Sequence, residues 1–201
     1  MILSLCLALI AGTVSMTGCG NTAAAPAAEP EPIINALTGI ESDTPLPARP
    51  IVVSIDNVGD AIPQSNISMA DVIYEFPVEG LQTRLECMFY GQYPEFVGPV
   101  RSTRPYFIDM VREYKGAFVG YGWSPDAKAY LHENYVPWIN GMVHTELFHR
   151  VSDKASPHNA YIDWKNIEDH FAQYGMWDNP KKVKGFTFRE DGDPIVAPID
   201  T

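Results

Sequence analysis

VRSTRPYFIDMVREYKGAFVGYGWSPD, residues 100–126, carries the pattern that decides the fold. Pro105 suits a first helical position, where a missing N–H costs nothing, with Thr103 or Arg104 as the cap. Behind it Phe107, Met110, Val111 and Tyr114 recur at helical spacing. Ala117 to Trp123 then reads as a strand, and Ser124-Pro125-Asp126 repeats the cap-then-proline device to open a second helix through Leu131. Phe96 to Val100, just ahead, is a short apolar segment. Strands that alternate with capped helices belong to layered α/β domains.

Working outward, Pro50 to Asp56 is a β-branched run and reads as a buried strand. Asn57 to Asn66 reads as a loop, Asp71 to Phe76 as a second strand and Thr83 to Gln92 as a third. The third alternates: Leu85, Cys87 and Phe89 face one way, Arg84 and Glu86 the other, which makes Cys87 a core residue rather than a nucleophile. Downstream, His158 to Ile162 reads as a strand. Asp163 caps a helix carrying Trp164, Ile167, Phe171 and Tyr174, and Phe186 to Phe188 starts another strand. The expected fold is α/β, a layered mixed sheet flanked by helices. It forms a single domain of roughly 150 residues, enough for a real core.

The first residues are of another kind. Met1 to Gly18 holds no charge, and its apolar block gives way to small residues, as in a secretory signal peptide (residues 1–18) and unlike a spanning helix. Met16-Thr17-Gly18-Cys19 resembles the bacterial lipobox, with Met16 where Leu is more usual, so Cys19 is the expected lipidation site. The alternative, an apolar core helix with a buried cysteine, is opposed by Gly12, Gly18 and Gly20. No Lys or Arg precedes the apolar block, so the true start is expected upstream. Residues 19–48, rich in Ala and Pro, read as the lipidated cysteine and a flexible tether. A domain is expected over residues 49–190, and residues 191–201 read as the start of a linker to a missing C-terminal domain. The expected address is the cell membrane, lipid-anchored on its extracytoplasmic face.

The formal net charge is −11, and residues 49–201 carry all 14 bases against 21 acids. That argues against nucleic acid as a partner while leaving room for a small anion held by a local Arg pair. With Cys6 in the leader, Cys19 lipidated and Cys87 alone in the body, neither a disulfide framework nor a thiolate metal cluster is expected. The nucleophile elbow, the His-Glu-x-x-His pair, the phosphate loop and the dinucleotide fingerprint are all missing, so no metal and no cofactor is expected.

Several runs together resemble one family. They are residues 49–57 (RPIVVSIDN), Pro63 to Ser65, Ala70 to Glu75, Val78 to Gly80 with Thr83-Arg84, residues 98–107 (GPVRSTRPYF) and Ser156 to Asn159. They are similar to the YerB-like lipoproteins of Gram-positive bacteria, a family defined by a domain of unknown function, and cover roughly residues 49 to 190. The resemblance implies an envelope address and a second, β-rich domain after this one. It implies no reaction.

Arg101 and Arg104 are the leading candidates for chemistry. They stand between a predicted strand and a predicted helix start, where unpaired N–H groups and the helix dipole favour an anion and guanidinium forks suit phosphate or carboxylate. The alternative is that they bridge to Glu75, Glu79 or Asp109 and only fix the turn. Ser102, Arg84 and Asn159 join them as ligand-binding candidates. His158, in a proline-bounded loop, is a candidate base or acid, with Asp56 to orient it, although a lone His is often structural and Asp56-Asn57 is also an ordinary turn cap. Glu75 and Glu79 are open to an acid–base role on sugars or to an ion-pair network with Arg84. Tyr106, Tyr121, Trp123 and Trp138 could floor a glycan groove or lie in the core.

Three readings of function stand. The first is a module that binds an anionic envelope ligand, a glycan or a phosphate, through Arg101 and Arg104. The second is an enzyme on cell-wall polymers using His158 with Asp56 or Glu75. The third is a scaffold that docks an envelope protein of the wall-synthesis machinery.

Overall fold

The computed structural model describes residues 31–177 and 183–189. The signal segment, Cys19, the first part of the tether and residues 191–201 lie outside the described residues.

The tether ends earlier than expected. β1 (Ile33–Ile34) and β2 (Glu41–Ser42) pair as a small antiparallel hairpin, and Leu37 in its turn is 3% exposed within the core. Asn35 is buried beside it, donating to Asp71 Oδ1 at 2.7 Å and accepting from the Leu37 N–H at 2.9 Å. One buried leucine and one asparagine bonded through both its amide nitrogen and its oxygen pin a stretch whose average composition reads as unstructured.

The main sheet contains β3 (Ile51–Asp56), β4 (Val72–Pro77), β5 (Thr83–Phe89), β7 (Ala117–Gly120) and β8 (Trp138–Asn140), in the order β4-β5-β3-β7-β8. β4, β5 and β3 pair antiparallel, while β3, β7 and β8 pair parallel, which makes the sheet mixed as expected. A smaller antiparallel sheet joins β6 (Phe96–Val97), β10 (Ala160–Asp163) and β9 (Phe148–Arg150). α1 (Pro105–Glu113) and α2 (Pro125–Glu133) cover one face of the main sheet, where Phe107, Val111 and Leu131 pack on Val52, Met88 and Phe118. α3 (Trp164–Gln173) and Ile162 of the small sheet cover the other face, against Ile51, Val53, Ile55, Cys87 and Phe89. Strand residues therefore alternate between two cores, which is why β3 is buried on both sides.

Some details differ from expectation. Phe186 to Phe188 forms no strand; Phe186 N–H instead donates to Ala36 O at 2.9 Å, laying the segment along the hairpin turn. Tyr174 lies past the end of α3 and is 68% exposed. β8 and β9 had no sequence signal of their own, being three residues each. Among the described residues no helix is long and apolar enough to cross a membrane.

Candidate functional site

The site grows from the polar end of the β3–β5 ladder. On the α1 face, Val52 lies opposite Met88, Ser54 opposite Glu86 and Asp56 opposite Arg84. The apolar pair gives way to polar pairs towards the carboxyl end of β3, where parallel strands commonly place their ligands. There the chain crosses back: Asp56 N–H donates to Pro99 O and Arg101 N–H to Ser54 O, both at 2.9 Å, so residues 99–101 lie along the end of β3. Tyr121 N–H then donates to Arg101 O, which wedges the same segment against the end of β7. Gly120 permits this approach, since a Cβ there would stand 2.8 Å from Thr103 Oγ1 and 3.2 Å from Arg101 O.

Asp56 is 1% exposed, and its Oδ2 serves two partners. His158 Nδ1 lies 2.7 Å away and Arg101 Nε 3.0 Å away. The Arg101 contact is an ion pair set off the hydrogen-bond line, and its two terminal amino groups have no hydrogen bond among the described residues. The side chains of Arg101 and His158 remain 23% and 18% exposed, so both heads reach solvent beside a buried acid.

Arg84 is 5% exposed and donates through one terminal nitrogen to Ser102 O at 2.6 Å, while its Nε is buried without a partner. Burial, then the charges of Arg104 and Arg101, lower its pKa to about 10. Glu86 is fully buried. It accepts from Ser54 Oγ at 2.8 Å and leaves its second oxygen unpartnered. Burial raises its pKa to about 8, so at neutral pH it adds little negative charge against Arg84. Thr103 Oγ1 is buried and unpartnered as well. Burial also raises the Cys87 thiol well above its ordinary range, in keeping with a core residue.

The two leading arginines do not form a free pair. Arg104 is held by Glu79 at 2.6 and 2.9 Å and by Ser102 Oγ and Thr103 O. The hydrogen bond from Arg104 and one from its own backbone lower the Glu79 pKa to about 2. Arg101 and Arg84 carry the unpaired donors instead. Ser102 belongs to the site through its carbonyl and hydroxyl. Asn159 does not: its amide is spent on Arg150, Val151 O and Lys154 O, shaping the loop before β10. Glu75 does not either, because it lies one residue out of phase with Tyr74 and Phe76, on the exposed side of β4, bonded to Asn57 and Thr83. The expected network of Arg84 with Glu75 and Glu79 is therefore not formed. Alternation set Glu86 with Arg84 on one side of β5 but gave no sign that this side is buried, as it is in the structure.

The aromatics are dispersed. Tyr106 OH donates to Pro77 O, and Tyr121 lies under Arg150 and against Phe148. Trp123 meets Trp138 edge-on, and Trp138 lines a groove of about 350 Å³ shared with His144, His170, Tyr174 and Met176. Two further grooves, about 410 and 370 Å³, border the hairpin and α3. No group of three or more His, Cys, Asp or Glu placed to hold a metal occurs among the described residues.

Residues 37–177 match the family described as "Protein of unknown function (DUF3048) N-terminal domain". The chain is 34% identical over 162 residues to "Putative lipoprotein YerB" of Bacillus subtilis (strain 168), across 80% of this chain and 46% of that one. It is also similar to the crystal structure of the YerB protein from Bacillus subtilis, with a TM-score of 0.73 and 34% identity over 78% of this chain and 55% of that one. The chain thus spans about half the length of the relatives it matches.

Proposed function

The chain belongs to the DUF3048 family, and from that premise we propose that it is a lipoprotein, anchored through Cys19 on the extracytoplasmic face of a membrane, whose Arg84–Arg101 site binds an anionic envelope ligand. The name of the Bacillus relative supports the anchor, as does the lipobox-like run ahead of Cys19. One observation carries the ligand reading. Arg101 offers two unpaired amino groups at a partly exposed position, fixed by a buried carboxylate it shares with His158. Near it, Arg84, Arg101 and Arg104 face Asp56 and Glu79 as charged acids, because Glu86 is largely protonated at neutral pH. The cluster keeps a net positive charge in a strongly acidic chain, and guanidinium nitrogens left without a hydrogen bond gain from an anion.

The test is binding of purified anionic wall fragments to the wild type and to a variant with Arg84→Ala and Arg101→Ala. Loss of about tenfold or more in affinity is expected, the size of one to two charge-assisted hydrogen bonds. Unchanged affinity in a folded variant would end this reading.

A second reading has one observation in its favour. The 2.7 Å contact between Asp56 and His158 is the arrangement that orients an imidazole for proton transfer, as in an enzyme on wall polymers. His158→Ala separates the two: an enzyme loses turnover of the polymer, whereas a binding module has no turnover to lose.

A further inference from the structure

Asp56 Oδ2 lies within contact of both His158 Nδ1 and Arg101 Nε, so the two heads flank one atom. A carboxylate can only accept, so the hydrogen in the 2.7 Å contact sits on Nδ1. In the neutral ring Nε2 is then a bare lone pair, and it has no partner among the described residues. Arg101 meets the same Asp56 oxygen through Nε and keeps its two terminal amino groups without a hydrogen bond among the described residues. The charged groups that bear on His158 are Asp56 of β3 and Arg101 of the crossing segment, with Arg84 of β5 acting on Asp56. The pair thus presents a fork of donors next to a single acceptor.

That combination discriminates between anions. A carboxylate fills the fork with its two oxygens and has nothing to give Nε2. Sulfate has oxygens to spare but no hydrogen, so one of its lone pairs would face another. A phosphate that still carries a proton has both. Resting on the anion-binding reading, we propose that the ligand is such a phosphate, with two oxygens on the fork of Arg101 and its P–OH donating to Nε2 of His158. Asp56 is a positioning residue: it sets the tautomer and holds the guanidinium, and it touches no ligand atom.

Calorimetric titration of the full chain in detergent at about pH 8, where free phosphate keeps one hydrogen and its esters keep none, tests this directly. Inorganic phosphate is expected to bind about tenfold or more tightly than sulfate or acetate, the worth of one hydrogen bond to a charged group. His158→Ala should bring phosphate and sulfate to equal affinity, while Arg101→Ala should weaken both together. Methyl phosphate, titrated at the same pH, has no hydrogen left to give and is expected to bind no more tightly than sulfate; binding as tight as that of inorganic phosphate would overturn the P–OH assignment. Sulfate bound as tightly as phosphate by the wild type would overturn the proposal and leave anion binding intact. No binding of any of these anions would remove both.

Discussion

Asp56 holds two heads with one oxygen, so its charge is the part of the site that cannot be replaced by shape alone. Asp56→Asn keeps the volume and one acceptor oxygen but removes the charge that holds Arg101 and His158 together. It should cost about 1–3 kcal/mol of stability, read by chemical denaturation, because both partners retain some access to water. Glu86 gives a pH signature of opposite kind. Its folded-state pKa, about 8, lies above its unfolded value, so between roughly pH 4.5 and pH 8 the folded state binds more protons than the unfolded. Stability should therefore fall as pH rises through that window, by an amount on the order of a few kcal/mol, and Glu86→Gln should flatten the fall. Equal pH dependence of the two proteins in denaturation at pH 5 and pH 8 would count against it. At this scale the sequence was partly legible. Asp56, Arg101 and His158 were each readable as candidates, because an acid at a strand end and an arginine before a helix are local patterns. Their meeting was not, since Asp56 and His158 are 102 residues apart. Nor was the capture of Arg104 by Glu79, which depends on a turn between β4 and β5 whose shape no spacing gives.

Helix starts were the most legible elements, because proline and a capping hydroxyl act within a few residues of chain. Ser124 Oγ accepts from Ala127 N–H at 3.2 Å as its position suggests, and Ser124→Ala should cost about 1 kcal/mol in thermal or chemical unfolding. Arg104 caps α1 with no side-chain bond, because its guanidinium is turned to Glu79; this leaves the start of α1 to its proline and its packing. Phe107, fully buried in α1 against the sheet, is where that packing is tested: Phe107→Ala should cost about 3–5 kcal/mol. Short strands were illegible for a physical reason. β6, β8 and β9 are two or three residues long, too short to show alternation, and they exist because neighbouring chain supplies their hydrogen bonds.

At the scale of the molecule, composition misjudged where the folded body begins. Leu37 packs in the α1-side core and Asn35 bonds to Asp71, so the hairpin is part of the body rather than of the tether. Leu37→Ala should lower stability by about 2–3 kcal/mol, whereas a true tether residue would change nothing measurable. Upstream of it, Cys19→Ser should move the protein from the membrane fraction to the medium or the soluble fraction on cell fractionation, since the proposed anchor is the lipid alone. Asp56 gathers His158 and Arg101 around one oxygen, and long-range ¹H–¹⁵N correlation of the imidazole and guanidinium nitrogens tests whether they form one receptive site. The expected result is a hydrogen on Nδ1 and none on Nε2 of His158 near pH 8, with His158 and Arg101 signals shifting together as inorganic phosphate is added. A hydrogen on Nε2 instead, or signals that stay unmoved at millimolar phosphate, would contradict it.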